Sequence, residues 1–446
     1  MAETGMRVAV AGAGPAGMAA AFRLSRAGAR VVVLEAAAAV GGRTLTAALD
    51  GVRIDTAAQL FSSGDTRMLA LLREAGGDGV AVPAPGRDAL WRRGKAHEVV
   101  YGSVASMLGS GALPLSLKLR LGAKYLPFLA RHAADLSTDA LERAAAAGLD
   151  REPIGAWGER ELGRDFVDLL VHPLLATLYG MTPEEASAGF YHALARGGAA
   201  LQILTLRGGA STFCEVLARA VAAGGGQVRT GTPVRALRAG AGGVEIGLDG
   251  GAERFDAVVL AVPAPVAREL VGGSMPELGD WLAGVSVRPT ATLAITTDRP
   301  LGVRWFGLSF ARGESRAAGA LCALEAKPAG LVPPGRGALV AFPLPHTGER
   351  LLGATPQEAL RALLPDLALP FPGIEQWIRA VELYRWPHGW TLFPAGYLAH
   401  LGRFRAGRLE SEPRLALAGD YLHAPTVEGA VASGLRAAER VLGVGR

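Results

Sequence analysis

A strand, a glycine-rich turn, a helix and a second strand ending on an acid follow one another in residues 7–35. No other feature restricts the fold of this chain as much. Arg7-Val-Ala-Val-Ala reads as a buried strand and runs straight into Gly12-Ala-Gly14-Pro15-Ala16-Gly17. A helical pattern then places Met18, Ala21, Phe22 and Leu24 on one side, Gly28 ends it, and Arg30-Val-Val-Val-Leu34 closes on Glu35. Each part has a physical task. Gly12 permits a tight turn, Gly14 lets backbone approach a pyrophosphate, and Gly17 lets helix and strand pack closely. The helix start offers free N–H groups and the positive end of a dipole to phosphates. Glu35 follows Gly12 by 23 residues, near the roughly 20 expected of an acid that binds ribose hydroxyls. An acid there disfavours a 2′-phosphate, so FAD or NAD is expected and NADP is not. A lone glycine pattern would be weak evidence among 61 glycines; here all five parts arrive in order.

The 446 residues are half hydrophobic and only 20% charged, enough for a large core and for more than one domain. Net charge is +5, without a run of like charges, so nucleic acid is not a predicted partner. Nearly all cations are arginine; the lysines are Lys95, Lys118, Lys124 and Lys327. Cys214 and Cys322 lie far apart without metal-ligand spacing, so neither a disulfide framework nor a metal site is expected. The strand at residues 8–11 begins too early for a cleavable signal, and no apolar run reaches the ~18 residues of a membrane span. A cytoplasmic protein is the expectation.

Beyond Glu35 come Gly41-Gly42-Arg43-Thr44 and then Gly51-Val-Arg-Ile-Asp55-Thr-Ala-Ala-Gln59. With this continuation the chain resembles the flavin-containing amine oxidase superfamily, which includes monoamine oxidases, protoporphyrinogen oxidases and phytoene desaturases. The resemblance selects FAD and implies that Gly41, Gly42 and Arg43 lie against it. The other end of the chain agrees: Leu415-Ala-Leu-Ala-Gly419-Asp420-Tyr421, then Val427-Glu428-Gly429-Ala430, read as strand, acidic turn and helix start. By the resemblance, Gly419 and Asp420 meet the ribityl or pyrophosphate region. The helix start at Val427 and Ala430 points at the flavin pyrimidine, where its dipole favours negative charge. In the middle, Leu206-Arg-Gly208-Gly209-Ala210 resembles the family's further glycine pair. Val228, Thr232-Pro-Val234 and Leu237 read as short strands, and Val234 is implied to contact the adenine.

The predicted fold is therefore α/β: a Rossmann-like FAD domain assembled from residues 1–75, 205–270 and 405–446, with a discontinuous α+β substrate domain in 76–204 and 271–404. Residues 103–204 are mainly helical in pattern. Around Trp157, His172-Pro173-Leu174-Leu175 and Tyr179-Gly180 they look most like protoporphyrinogen oxidases, whose equivalent helices cover the substrate. Residues 115–131 form a basic amphipathic pattern, with Leu117, Leu121, Tyr125, Phe128 and Leu129 on one face. We read it as a packed helix of the substrate domain rather than a membrane-surface helix, because Lys118 interrupts the apolar face and Pro127 should kink it.

A flavin enzyme draws its redox chemistry from the cofactor, so cavity walls matter more than a catalytic triad. Tyr384-Arg-Trp386-Pro387 and Phe393-Pro394-Ala-Gly396-Tyr397 resemble the segment running past the flavin. Trp386, Tyr397 and Gln59 are the candidate substrate-lining residues; the Gln59 amide could meet flavin or substrate, and a structural role is the equal alternative. The histidines near these segments, His172, His388 and His423, are expected to be packing. The chain departs from its relatives at Ala39, where an arginine is usual, and at Ala57, where a glycine is usual. No cysteine lies in the C-terminal segment, so FAD should be non-covalent. No lysine lies in 288–300, where many amine oxidases keep one that assists reoxidation. The expected activity is hydride removal from a lipophilic or heterocyclic small molecule, with O2 as electron acceptor. An amine or amide oxidase is the alternative within the enzyme class. A flavin-free binding protein, as in the Rab escort and GDP-dissociation-inhibitor proteins that share the fold, is the alternative outside it.

Overall fold

The computed structural model describes residues 5–84, 87–100, 103–197, 201–240, 242–328, 330–407 and 414–444. At its centre is a five-stranded parallel sheet. The order across it is Gln227–Arg229, Arg30–Leu34, Arg7–Ala11, Ala257–Leu260 and Leu415–Leu417. A parallel sheet must be covered on both faces, so its strands read as continuous apolar runs. The pleat divides those runs between two cores. Val8, Val10, Val31, Val33 and Val259 face the helices Pro15–Arg26, Thr212–Ala223 and Val427–Val444. Ala9, Ala11, Val32, Leu34, Val258 and Leu260 face the opposite core. There the three-stranded antiparallel sheet of residues 236–255 contributes Leu237, Val244, Ile246 and Phe255.

One expected detail differs. Thr232-Pro-Val234 is loop, not strand. Pro233 has no N–H to give a ladder, and the Thr232 N–H is spent on the Glu35 carbonyl (2.7 Å). Pro127 stands in the first turn of its own short helix, Leu126–Arg131. The helices Leu115–Arg120 and Leu126–Arg131 are joined by a widened π turn, Leu121–Tyr125, a known way of absorbing a local irregularity within a helix. Leu117, Leu121 and Tyr125 of this run are buried.

A second, seven-stranded sheet has the order Ile378–Thr391, Val287–Thr297, Gly337–Pro343, Ala318–Ala323, Gly307–Phe310, Arg87–Arg92 and Lys95–Val100. The helical insert is tied to it by Arg288, whose guanidinium donates to Glu185 (2.6 and 3.0 Å) and to the Gly180 carbonyl (2.6 Å). No helix among the described residues is long and apolar enough to cross a membrane.

The C-terminal helix also reaches back to the first segment of the chain. Glu428 accepts from the N–H groups of Arg67 (2.9 Å) and Met68 (3.0 Å) and pairs with the Arg67 guanidinium (3.2 Å). It thereby satisfies orphan donors at the start of the helix Thr66–Glu74 and complements its dipole. Glu428→Ala should cost about 2–3 kcal/mol, the loss of hydrogen bonds to a charged group. Denaturant unfolding measures this, and a change within the error of the method would remove Glu428 as a tie between the two segments.

Candidate cofactor and substrate site

The C-terminal edge of the parallel sheet is where open α/β folds bind ligands, and the glycines of the first turn show what this edge is shaped for. Gly12 has φ +101°, and a Cβ there would stand 2.3 Å from the Ala261 carbonyl oxygen. A Cβ at Gly17 would stand 1.9 Å from the Gly12 oxygen. Protein packing alone demands these two. Gly14 is different. Its φ is −76°, which any residue adopts, and a Cβ there would meet nothing nearer than the Gly41 oxygen at 4.0 Å. The protein leaves this backbone bare although nothing in the protein fills the space. That is the cradle a pyrophosphate requires.

Pro15 opens the helix at a position that needs no N–H. Ala16 follows in the first turn and packs under Gly434 of the C-terminal helix, where a Cβ would lie 2.1 Å from the Ala16 oxygen. The helix start carries no capping side chain and no acid, so it presents an uncompensated positive end. Gly41 and Gly42, with φ +123° and +52°, dock on this turn. The Gly41 N–H donates to the Ala13 carbonyl (2.9 Å), and Gly42 faces the Gly14 Cα. Glu35 holds the turn from the other side, accepting from the N–H groups of Ala13 (2.6 Å) and Ala37 (2.8 Å). Val234 lies in the loop just beyond Thr232, beside the end of the Glu35 strand.

Arg43 carries the site across to the other end of the chain. Its Nη1 and Nη2 donate to the two oxygens of Asp420, each at 2.9 Å. Asp420 also accepts from the Thr391 hydroxyl (3.0 Å) and from the Tyr421 N–H (3.1 Å). The strand Ile378–Thr391 contributes through a bulge: its register with Val287–Thr297 jumps between Trp386 and Trp390. The jump lies at Pro387, which cannot donate to a ladder, and it leaves the Gly389 carbonyl 3.3 Å from Arg43 Nη1. Gly419 is held by its N–H on Ser433 Oγ (2.9 Å). Val427 and Ala430 sit in the first turn of the final helix.

A buried polar group beside these residues was not legible in the sequence. Lys327 Nζ donates to Asp55 Oδ2 (2.6 Å) and Gln59 Oε1 (3.0 Å), with its side chain fully buried. Asp55 Oδ1 accepts from Thr46 Oγ1 and from the Ala210 N–H, both at 2.7 Å, and the Gln59 amide returns a bond to the Asp55 carbonyl (2.5 Å). The Phe306 ring lies 5.1 Å from the ammonium. Gly209 is part of the same group: a Cβ at φ +99° would stand 2.7 Å from Asp55 Oδ1. The segment 288–300 has no lysine, and a buried ammonium arrives instead from residue 327. The available signal was its rarity, one lysine of four among 46 cationic residues.

The two aromatic candidates separate. Trp386 is half-buried, with its indole N–H 3.3 Å from Thr292 Oγ1. Tyr397 is buried between Phe393 and His400, and its hydroxyl is spent on the Tyr421 carbonyl (2.7 Å), next to Asp420. Trp390, which sequence reasoning passed over, packs its ring against Gly180 of the helical insert. Inside the insert, His192 lies among Tyr125, Phe128 and Trp157. Burial pushes its pKa down to about 3, so its ring is neutral. No cluster of metal-ligating side chains occurs among the described residues.

The profile of the flavin containing amine oxidoreductase family matches residues 15–442. Hydroxysqualene dehydroxylase of Rhodopseudomonas palustris is 30% identical over 98% of this chain and 99% of its own length. Coproporphyrinogen III oxidase of Propionibacterium freudenreichii is 25% identical over 97% of this chain and 90% of its own. Among solved structures, cyclohexylamine oxidase from Brevibacterium oxydans shares the fold with a TM-score of 0.73 at 21% identity, covering 98% of both chains.

Two outcomes follow from this geometry. Gly14→Val fills the bare cradle without disturbing protein contacts, so the variant should fold and purify without flavin; normal flavin content would place the cofactor elsewhere. Lys327→Met strands the buried Asp55 carboxylate and should cost roughly 3–5 kcal/mol in denaturant unfolding. The double variant Asp55→Asn/Lys327→Met should recover part of that loss, and equal loss in both would show that the two side chains do not act as a pair.

Proposed function

The chain belongs to the flavin containing amine oxidoreductase family and is an FAD-dependent oxidoreductase; within that family we propose that it oxidises a lipophilic small molecule and passes the electrons to O2. FAD is held non-covalently, and both cysteines are buried, far in sequence from the C-terminal segment. The bound flavin supplies the hydride acceptor. The residues of this chain fit it. Gly12, Gly14 and Gly17 with the helix start at Pro15 and Ala16 would take the pyrophosphate, with Gly41 and Gly42 alongside. Glu35 would accept from the ribose hydroxyls. Arg43 uses only part of its five N–H donors on Asp420 and Gly389 and would offer the rest to the cofactor. Gly419, Asp420, Val427 and Ala430 would close the flavin end, and Val234 the adenine end. Gln59, oriented by Lys327, would border the flavin.

One observation carries the choice of a lipophilic substrate. Where the insert meets residues 390–393 the packing is aromatic: Tyr179 on Phe190, Phe190 on Phe393, and the Trp390 ring over Gly180. Two acids of the insert are already committed, Glu185 to Arg288 and Asp150 to Ser187 (2.6 Å) and the Ala399 N–H (3.1 Å). Neither carboxylate is free for a cationic amine, and aromatic surroundings of this kind suit an apolar molecule. The full-length likeness to a dehydroxylase of a hydrocarbon-like substrate supports the same reading.

The test is hydrogen peroxide release by the flavin-loaded protein against polyprenoid alcohols and hydrocarbons, porphyrinogens and primary amines. Release with amines alone would replace this reading by an amine oxidase. A protein that shows no flavin bands and cannot be reconstituted would remove enzymatic redox chemistry altogether. Once a substrate is known, Trp386→Ala should keep FAD and slow flavin reduction by about tenfold or more through lost positioning, leaving reoxidation nearly unchanged. Tyr397→Ala should instead also lower flavin occupancy, because Tyr397 supports the Tyr421 backbone beside Asp420. Stopped-flow measurement of each half-reaction separates the two roles, and equal slowing of both half-reactions in the Trp386 variant would make Trp386 a support of the fold.

A further inference from the structure

The inner face of the helical run 115–131 is accounted for by packing, but the outer face is not. Of the seven large hydrophobic side chains that stand most open among the described residues, five lie close together in sequence: Val100, Leu108, Leu115, Leu119 and Leu126. Leu115 is 71% exposed and Leu119 64%. With Gly122 and Leu126 they follow the spacing of one helix face, and Ala123, Pro127 and Ala130 beside them are exposed as well. The helix is thus apolar on both sides, buried through Leu117, Leu121 and Tyr125 and open through the leucines. The strand Lys95–Val100 and the helix Val104–Gly109 carry Val100 and Leu108 beside it in the chain, and their backbones are joined through Ser106 Oγ, which accepts the Val100 N–H (2.8 Å).

Within the segment that carries this stripe the charge has one sign. From residue 99 to residue 134 the sequence contains no Asp or Glu, while it contains Lys118, Arg120, Lys124 and Arg131. Lys118 and Lys124 place their ammonium groups on backbone carbonyls, those of Ser110 (2.9 Å) and Glu161 (3.3 Å), so neither charge is neutralised there. Arg120 alone approaches an acid, Asp165 at 3.7 Å. Arg131 is exposed at the end of the run.

We propose that this face, Leu115, Leu119 and Leu126 with Lys118, Lys124 and Arg131, seats the protein on an anionic lipid bilayer as an interfacial helix. A row of open leucines is costly in water and favourable at the acyl boundary of a bilayer, and the long basic side chains beside it reach the headgroups. A second copy of the chain would bring the same unneutralised cations into contact with themselves. An anionic lipid surface complements both the apolar stripe and its charge. The proposal stands apart from the substrate reading, because it concerns where the protein sits and not what it oxidises.

The test is co-sedimentation of the flavin-loaded full chain with phosphatidylcholine vesicles, with and without phosphatidylglycerol. Binding to the phosphatidylglycerol vesicles, weakened by salt, is the expected result. Leu115→Asp/Leu119→Asp should reduce it by at least about tenfold with flavin content unchanged. Lys124→Glu/Arg131→Glu should abolish the preference for anionic vesicles. Failure of the wild-type protein to sediment with either vesicle would overturn the proposal, as would leucine variants that bind like the wild type. A concentration-dependent dimer that ignores vesicles and dissolves in the leucine variants would assign the face to self-association instead. None of these outcomes depends on a substrate, so the lipid surface and the enzymatic reading can fail separately.

Discussion

The two-pronged pair between Arg43 and Asp420 joins residues 377 apart in sequence, and the geometry of the cofactor edge hangs on it. Arg43 follows the Gly41-Gly42 turn, which is docked on the first glycine turn through the Ala13 carbonyl. Asp420 follows the last strand of the sheet and is held by Thr391 and the Tyr421 N–H. Three distant parts of the chain are therefore aligned by one carboxylate, whose two oxygens can accept about four hydrogen bonds. Removing either partner of such a pair leaves the other charge poorly solvated, a cost larger than the net value of the pair itself. That asymmetry makes the arrangement sensitive to single substitutions and sharply defined while intact.

What could be read from the sequence was what local geometry imposes. Gly12, Gly14 and Gly17 stand at spacings that only a strand–turn–helix unit explains. Glu35 had to follow at the end of the next strand, and the strand Leu415–Leu417 with Asp420 behind it repeated the logic at the other terminus. Thr232 and Val234 were misread as strand because their β-branched composition outweighed Pro233, which removes the ladder donor. The bulge that offers the Gly389 carbonyl to Arg43 was hidden for a related reason. Pro387 marks an irregularity, but which partner residues slip past one another is decided across the sheet and not along the strand. The helical run 115–131 was read correctly as packed on one face. Its other face does not follow the usual opposition of leucines and cations, because leucines occur on both sides.

The choice between lysine and arginine in this chain follows the geometry each must meet. Asp420 presents both oxygens to a partner that keeps 35% of its side chain accessible, and a planar guanidinium matches that fork with room for further donors. The niche beside Asp55 is closed, and the Lys327 side chain in it is fully buried. There the acceptors, Asp55 Oδ2 and Gln59 Oε1, belong to different side chains, and Asp55 Oδ1 is already taken by Thr46 and Ala210. A compact ammonium can address two acceptors in different directions while taking little room beside Phe306. In a chain that otherwise prefers arginine, composition gives no reason for a lysine at 327, but the shape of the niche does. The same niche explains why Gly209 lacks a side chain and why the Gln59 amide has one orientation: its oxygen faces the ammonium and its nitrogen the Asp55 carbonyl. The polar group thus fixes the Gln59 side chain and draws its contacts from three chain segments, none of which predicts the others from sequence alone.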